Sequence, residues 1–308
     1  MRNPALAFTA CAAVLALSGT LAFANSLTQQ GKLQLDGRAR TYEVHLPRSY
    51  DGTQPVPLVL ALHGRLGNGP GEEKLAGLDK VSDKYGFLAV YPNGLDRSWA
   101  DGRDATPSDR NNVDDVKFLS ALIDRMEQEY NIDRSRIYVM GMSNGGFMTA
   151  RLACDLSNRI AAVGIVAASL SANTAADCHP EKPLSVLIIQ GSEDPLVPLQ
   201  GGALRKDRSG GEVLSHAATV QKFAQLDECS SKPQTQRIPD QTGDGTTIDA
   251  VLFSGCAAGT EVRGYMVNGG GHTWPGGVQY LPAALIGKTT HNLNASDLIW
   301  EFFSNHQR

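Results

Sequence analysis

The pentapeptide Gly141-Met142-Ser143-Asn144-Gly145 fits G-x-S-x-G and stands directly after the apolar run RIYVM and directly before residues with helical spacing. A sharp turn from strand to helix at this point strains the backbone of the serine. The flanking glycines leave room for it, and the start of the helix faces the hydroxyl. In that setting Ser143 suits attack on an acyl carbonyl, with the acyl group then held as an ester on the serine. A serine hydroxyl is a weak nucleophile at neutral pH. It needs a histidine as general base and a carboxylate to orient the ring, and after such a serine these follow in the chain order Ser, Asp or Glu, His.

Five histidines follow Ser143. His216 and His306 fall within helical patterns, His179 sits beside Cys178 ahead of the acid position, and His291 lies in the polar approach to the last helix. His272 alone follows a strand immediately, in GGGHTWPGG, where glycines permit close backbone approach, and it is the expected base. Asp194 stands in Gly191-Ser192-Glu193-Asp194-Pro195, just past SVLIIQ. Catalytic groups of open α/β sheets gather at the carboxyl ends of strands, so Asp194 is the expected acid, with Glu193 its neighbouring competitor. It would hold the imidazole tautomer and stabilise the imidazolium without taking the proton. The oxyanion formed on a substrate carbonyl needs preorganised donors. One is expected from the main-chain N–H of Asn144, the other from the loop after PLVLALHG, where Arg65 is placed to act through its main chain.

Alternating strands and helices must carry these groups. Strands are expected at 32–35 and 41–46 around the turn Asp36-Gly37, then at 57–63 and 87–91 as continuous apolar runs typical of strands buried on both faces. The glycine-rich loop 64–71 leads into a helix at 72–85. Further helices are expected at 113–130, 144–154, 215–226 and 295–306, and strands at 136–142, 162–167, 185–190, 247–253 and 261–267. The alternation predicts an α/β fold, a mostly parallel central sheet with helices on both faces. No linker or low-complexity stretch divides residues 25–308, so they are expected as one domain. The chain between Asn144 and Ser185 is too short for a large lid.

The 308 residues are 42% hydrophobic and 19% charged, with 28 Lys+Arg against 32 Asp+Glu. That apolar fraction excludes a disordered chain. Without a basic excess, nucleic acid is not expected as a partner, since affinity there comes mainly from Lys and Arg on phosphates. Arg2, the apolar stretch from Ala5 to Leu17 and Ala22-Phe23-Ala24 read as a secretory signal, residues 1–24, with an A-x-A cleavage site. Ser18, Gly19 and Thr20 interrupt the stretch before it reaches the roughly 20 apolar residues of a membrane span. The mature chain is therefore expected to be secreted or periplasmic, with no membrane association. Cys11 leaves with the signal, and Cys154, Cys178, Cys229 and Cys256 remain, an even number in an oxidising compartment. Three pairings are possible; Cys154 with Cys178 and Cys229 with Cys256 closes the shortest loops and is the expected one. The spacings include no CxxC, so no metal is expected.

Leu62-His63-Gly64, YPNGLDRSWADGR from Tyr91, VDDVKFLSALID from Val113, GMSNGG from Gly141, QGSEDPLVP from Gln190 and GGGHTWPGG from Gly269 together resemble a secreted esterase family. That family joins feruloyl and acetylxylan esterases to polyhydroxybutyrate depolymerases, and its motifs occur here in family order over nearly the whole mature chain. The resemblance implies an α/β-hydrolase with Ser143, Asp194 and His272 as its triad and no cofactor. Two departures bear on substrate. Many depolymerases of this type have cysteine where Arg65 stands, and the large secreted ones carry a linker and a polymer-binding domain that this sequence does not show. Arg65 could offer its guanidinium to an acidic or polyhydroxylated substrate. Trp99 and Trp274 are candidates for stacking on a sugar or an aromatic acyl group, with a place in the core as the alternative. The expected substrate is a feruloyl or acetyl ester of plant polysaccharide. Polyester of the hydroxybutyrate kind is the alternative, and a non-catalytic carbohydrate- or polymer-binding protein is a further one. No obligate protein partner is evident.

Overall fold

The computed structural model describes residues 28–204, 209–230 and 232–308. The signal expected over residues 1–24, with Cys11, lies outside them. Ten strands form one mixed sheet: β1 (Thr28–Leu35), β2 (Arg38–His45), β3 (Val56–Leu62), β4 (Leu88–Pro92), β5 (Ile132–Met142), β6 (Ala162–Val166), β7 (Ser185–Gly191), β8 (Gln234–Ile238), β9 (Thr247–Phe253) and β10 (Val262–Asn268). Their order across the sheet is β1-β2-β4-β3-β5-β6-β7-β10-β9-β8. The central strands from β4 to β10 in that order run parallel, and antiparallel hairpins edge both sides. Every residue of β4, β6 and β7 is buried, which the apolar runs LAVYP, AVGIV and VLII within them allow. The edge strand β8, QTQRI, is mostly exposed and polar, so no apolar pattern marks it in the sequence.

The main helices are α1 (Gly69–Ala76), α2 (Leu78–Tyr85), α3 (Asp115–Glu129), α4 (Asn144–Asp155), α5 (His216–Leu226) and α6 (Ala295–Ser304). Side chains alternate along β3 and serve two cores. Leu58, Leu60 and Leu62 join Phe118 of α3, Phe147 of α4 and Phe223 of α5 on one face. Val59 and Ala61 join Val81 of α2 and Ile299 and Phe303 of α6 on the other. The single helix expected at 72–85 is two helices. Gly77, at φ +59°, ends α1 by donating its N–H to the Glu73 carbonyl, and the chain restarts as α2. β5 begins at Ile132, ahead of the expected start at residue 136.

Between α4 and β7 the chain holds only β6 and the short helix Ala172–Ala176. Cys154, near the end of α4, is bonded to Cys178 ahead of β7, and Cys229 after α5 is bonded to Cys256 between β9 and β10. Among the described residues no helix is long and apolar enough to cross a membrane.

Candidate active site

Ser143 links β5 to α4 at φ +55° and ψ −122°, a conformation that costs a non-glycine residue about 1–3 kcal/mol. The elbow is packed too tightly for side chains beside it. A Cβ on Gly145 would lie 2.0 Å from the Leu62 carbonyl oxygen, and one on Gly141 would lie 2.6 Å from the Gly145 backbone. The Ser143 N–H donates to the Val166 carbonyl, and the Ser143 carbonyl accepts from Phe147 N–H. Neighbouring backbone therefore holds the strain in place on both sides.

Ser143, Asp194 and His272 follow β5, β7 and β10, parallel strands whose carboxyl ends lie at one edge of the sheet. The structure brings Asp194 and His272 into contact: Nδ1 of the ring donates to Oδ2 of the carboxylate over 2.7 Å, with both side chains buried. The other carboxylate oxygen accepts from the N–H groups of Leu196 and Val197, each at 2.8 Å. With the proton on Nδ1, Nε2 is left as an acceptor. Glu193, the competing acid, is exposed.

The main chain of His272 is held as well. Its N–H donates to the Ile286 carbonyl over 2.6 Å, and its carbonyl accepts from the Tyr280 hydroxyl over 2.9 Å. Burial pushes the Tyr280 phenol up to about 12, so it keeps its proton throughout the neutral range. Tyr280 was not legible in the sequence, where it is one tyrosine in an irregular loop.

The loop after β3 approaches the nucleophile: a Cβ on Gly64 would lie 3.5 Å from that of Ser143. The Gly64 carbonyl accepts from Nδ1 of buried His63 over 2.8 Å and from Gly67 N–H over 2.9 Å. Because that peptide is trans, the Arg65 N–H points the opposite way. Nε2 of His63 accepts from Gly94 N–H over 3.0 Å. Desolvation holds the His63 ring down to about 4, so it stays neutral and serves as both donor and acceptor. The Arg65 side chain is exposed, and among the described residues its N–H meets no main-chain acceptor. The Asn144 N–H belongs to the first turn of α4, where the helix itself supplies no acceptor.

Trp99 and Trp274 do not offer a face to a ligand, which corrects the expectation of stacking: both are fully buried. The Trp274 indole N–H donates to Ser296 at the start of α6 over 3.1 Å, and its ring fills the second core. The Trp99 indole N–H donates to the His63 carbonyl over 2.9 Å. A tryptophan beside a motif gives no sign in sequence of which way its ring faces. Large apolar side chains that are exposed instead include Leu66, Leu196, Val278, Tyr280, Leu281 and Leu285, on the segments that follow β3, β7 and β10. Among the described residues no three His, Cys, Asp or Glu side chains are grouped so as to hold a metal ion.

A central run of parallel strands covered by helices, with a serine elbow and an Asp-His pair at its carboxyl edge, defines an α/β-hydrolase. The phospholipase/carboxylesterase family model matches residues 90–226. Over 288 residues the chain is 30% identical to the esterase-named NocK of Nocardia uniformis subsp. tsuyamanensis, covering 91% of this chain and 83% of that one. Over 180 residues it is 30% identical to feruloyl esterase C of Emericella nidulans, covering 56% and 60%. The solved structure of the acetyl xylan esterase from Aspergillus awamori shares the fold, with a TM-score of 0.59 at 15% identity over 90% of this chain and 99% of that one. The chain belongs to this esterase family and hydrolyses carboxylic ester bonds.

Proposed function

We propose that residues 25–308 form one catalytic domain of a secreted serine esterase that cleaves feruloyl or acetyl esters of plant polysaccharide. The buried Asp194–His272 pair, at the same sheet edge as the strained Ser143 elbow, carries this reading. Ser143 Oγ attacks the ester carbonyl while His272 Nε2 takes its proton, and Asp194 stabilises the imidazolium that results. The N–H groups of Arg65 and Asn144 donate to the oxyanion. Collapse of the tetrahedral intermediate expels the alcohol, which receives the proton from His272 and leaves the acyl group on Ser143. Water, giving its proton to the same ring, then releases the acid and restores the serine. The chemistry needs no cofactor.

The names of the feruloyl and acetyl xylan esterases among the relatives support the substrate class. Two disulfides support a compartment outside the cytoplasm. The exposed apolar side chains on the segments after β3, β7 and β10, the strands that also lead to Arg65, Asp194 and His272, favour a second reading, hydrolysis of hydroxyalkanoate polyesters or their oligomers, whose repeats are more apolar than a sugar. The test compares kcat/KM of the purified protein on methyl ferulate, acetylated xylan and hydroxybutyrate oligomers. Preference for the first two supports the proposal, and preference for the oligomers selects the second reading.

A further inference from the structure

The segment from Gly94 to Asp101 touches both sides of the proposed oxyanion site. On the side of the loop after β3, Gly94 N–H donates to His63 Nε2, the Trp99 indole donates to the His63 carbonyl, and Leu66 N–H donates to the Arg97 carbonyl over 2.8 Å. The Arg97 guanidinium also donates to the Leu66 carbonyl. On the side of α4, Trp99 N–H donates to Asn144 Oδ1 over 2.8 Å, and Asn144 Nδ2 donates to the Trp99 carbonyl over 3.1 Å and to Asp101 over 2.5 Å. Asp101 is fully buried and is anchored in turn by Arg103 at 2.7 Å, whose guanidinium lies 4.1 Å from the centre of the Phe147 ring on α4. A core tryptophan needs one acceptor for its indole N–H, as Trp274 finds in Ser296. At Trp99 the indole N–H and the main-chain N–H both go to the two segments that supply the donors, and the carbonyl is shared between Asn144 Nδ2 and the Thr106 hydroxyl at 2.8 Å.

We propose that this segment is a strap that sets the separation of the Arg65 and Asn144 N–H groups, with Trp99 and Asp101 as positioning residues acting through His63 and the Asn144 side chain. The proposal rests on Ser143 being the nucleophile. Trp99 and Asp101 are fully buried and do not reach the surface where a substrate would lie, so their effect falls on the tetrahedral state, when charge reaches the carbonyl oxygen, and leaves ground-state binding nearly alone.

Two substitutions cut the strap at opposite ends. Trp99→Phe removes the indole donor to His63 and keeps an aromatic ring, while Asn144→Ala removes the amide and keeps the main-chain N–H. Each should lower kcat about 10 to 100-fold, as expected of a donor displaced by a fraction of an ångström to an ångström, with KM little changed. Inhibition by a trifluoromethyl ketone, a mimic of the tetrahedral state, should weaken in parallel. The double variant should be no slower than the slower single one, because cutting either end already frees the spacing. Unchanged kcat and ketone inhibition in variants that merely melt earlier would overturn the proposal, as would effects that multiply. Labelling of wild-type Ser143 by a fluorophosphonate separates the two levels: without labelling the nucleophile reading itself fails, and with labelling a negative result removes the strap alone.

Discussion

The orientation of Asp194 makes one substitution unusually informative. Its Oδ1 accepts from two main-chain N–H groups, of Leu196 and Val197, so in Asp194→Asn the amide oxygen must take that place. The amide NH2 then faces His272 Nδ1 at the position where a carboxylate oxygen now lies 2.7 Å away. An amide nitrogen only donates, so the ring must put its proton on Nε2, the atom meant to accept from Ser143. The hydrogen-bond count around residue 194 is preserved and the fold should survive, but the base is in the wrong tautomer. A fall in kcat of about 10,000-fold is the size that this error produces in a Ser-His-Asp site. The assay is hydrolysis of an aryl ester by purified variant and wild type, with thermal melts to show that both are folded. Glu193→Gln, which alters the exposed neighbour, should stay close to wild type. A loss under about tenfold in Asp194→Asn, roughly 1.4 kcal/mol of barrier, would refute the role given to the pair.

Arg65→Ala should leave aryl ester hydrolysis close to wild type because the donor is the main chain, whereas Arg65→Pro, which removes that N–H, should cost about 100 to 1,000-fold in kcat with melts unchanged. Glu72 is buried on α1 with one carboxyl oxygen lacking a partner, and desolvation pushes it from 4.5 up to about 8. Its folded-state value is raised, so the folded protein holds the proton and stability falls as pH climbs from the unfolded value near 4.5 through about 8. Glu72→Gln should therefore raise Tm at pH 9 and change it little below pH 4.5, with roughly 5 kcal/mol as the upper bound at about 1.36 kcal/mol per pH unit. Equal gains at both pH values would contradict the shift. Replacing Cys154 and Cys178 together by Ala opens a loop with a sequence separation of 24, and urea unfolding should show a loss of about 3 kcal/mol.

Long-range order in this chain was legible where one physical demand dominates. Strands buried on both faces must be apolar throughout, so β3, β4, β6 and β7 announce themselves, and their alternation with helices implies the parallel sheet. The elbow is legible because the backbone at Ser143 cannot turn this sharply with side chains at 141 and 145. The break at Gly77 was not, because a glycine in an amphipathic stretch is either tolerated or a cap, and only the left-handed φ decides. β8 pairs at the sheet edge through its backbone, which leaves its side chains free to be polar. The supports of the site were equally silent: Tyr280, His63 and Asp101 reach the His272 carbonyl, the Gly94 N–H and the Asn144 amide, groups distant in sequence, and such bonds leave no periodic trace.

The central claim is that Ser143 is the nucleophile. Incubation with a fluorophosphonate probe followed by peptide mass spectrometry should find the adduct on Ser143 of the wild-type protein. Ser143→Ala should fold normally, take up no probe at the elbow and lose aryl ester hydrolysis. A wild-type protein that is not labelled, or a Ser143→Ala variant that still hydrolyses the ester, would contradict the account, and the first outcome would favour a hydrolase fold used for binding alone.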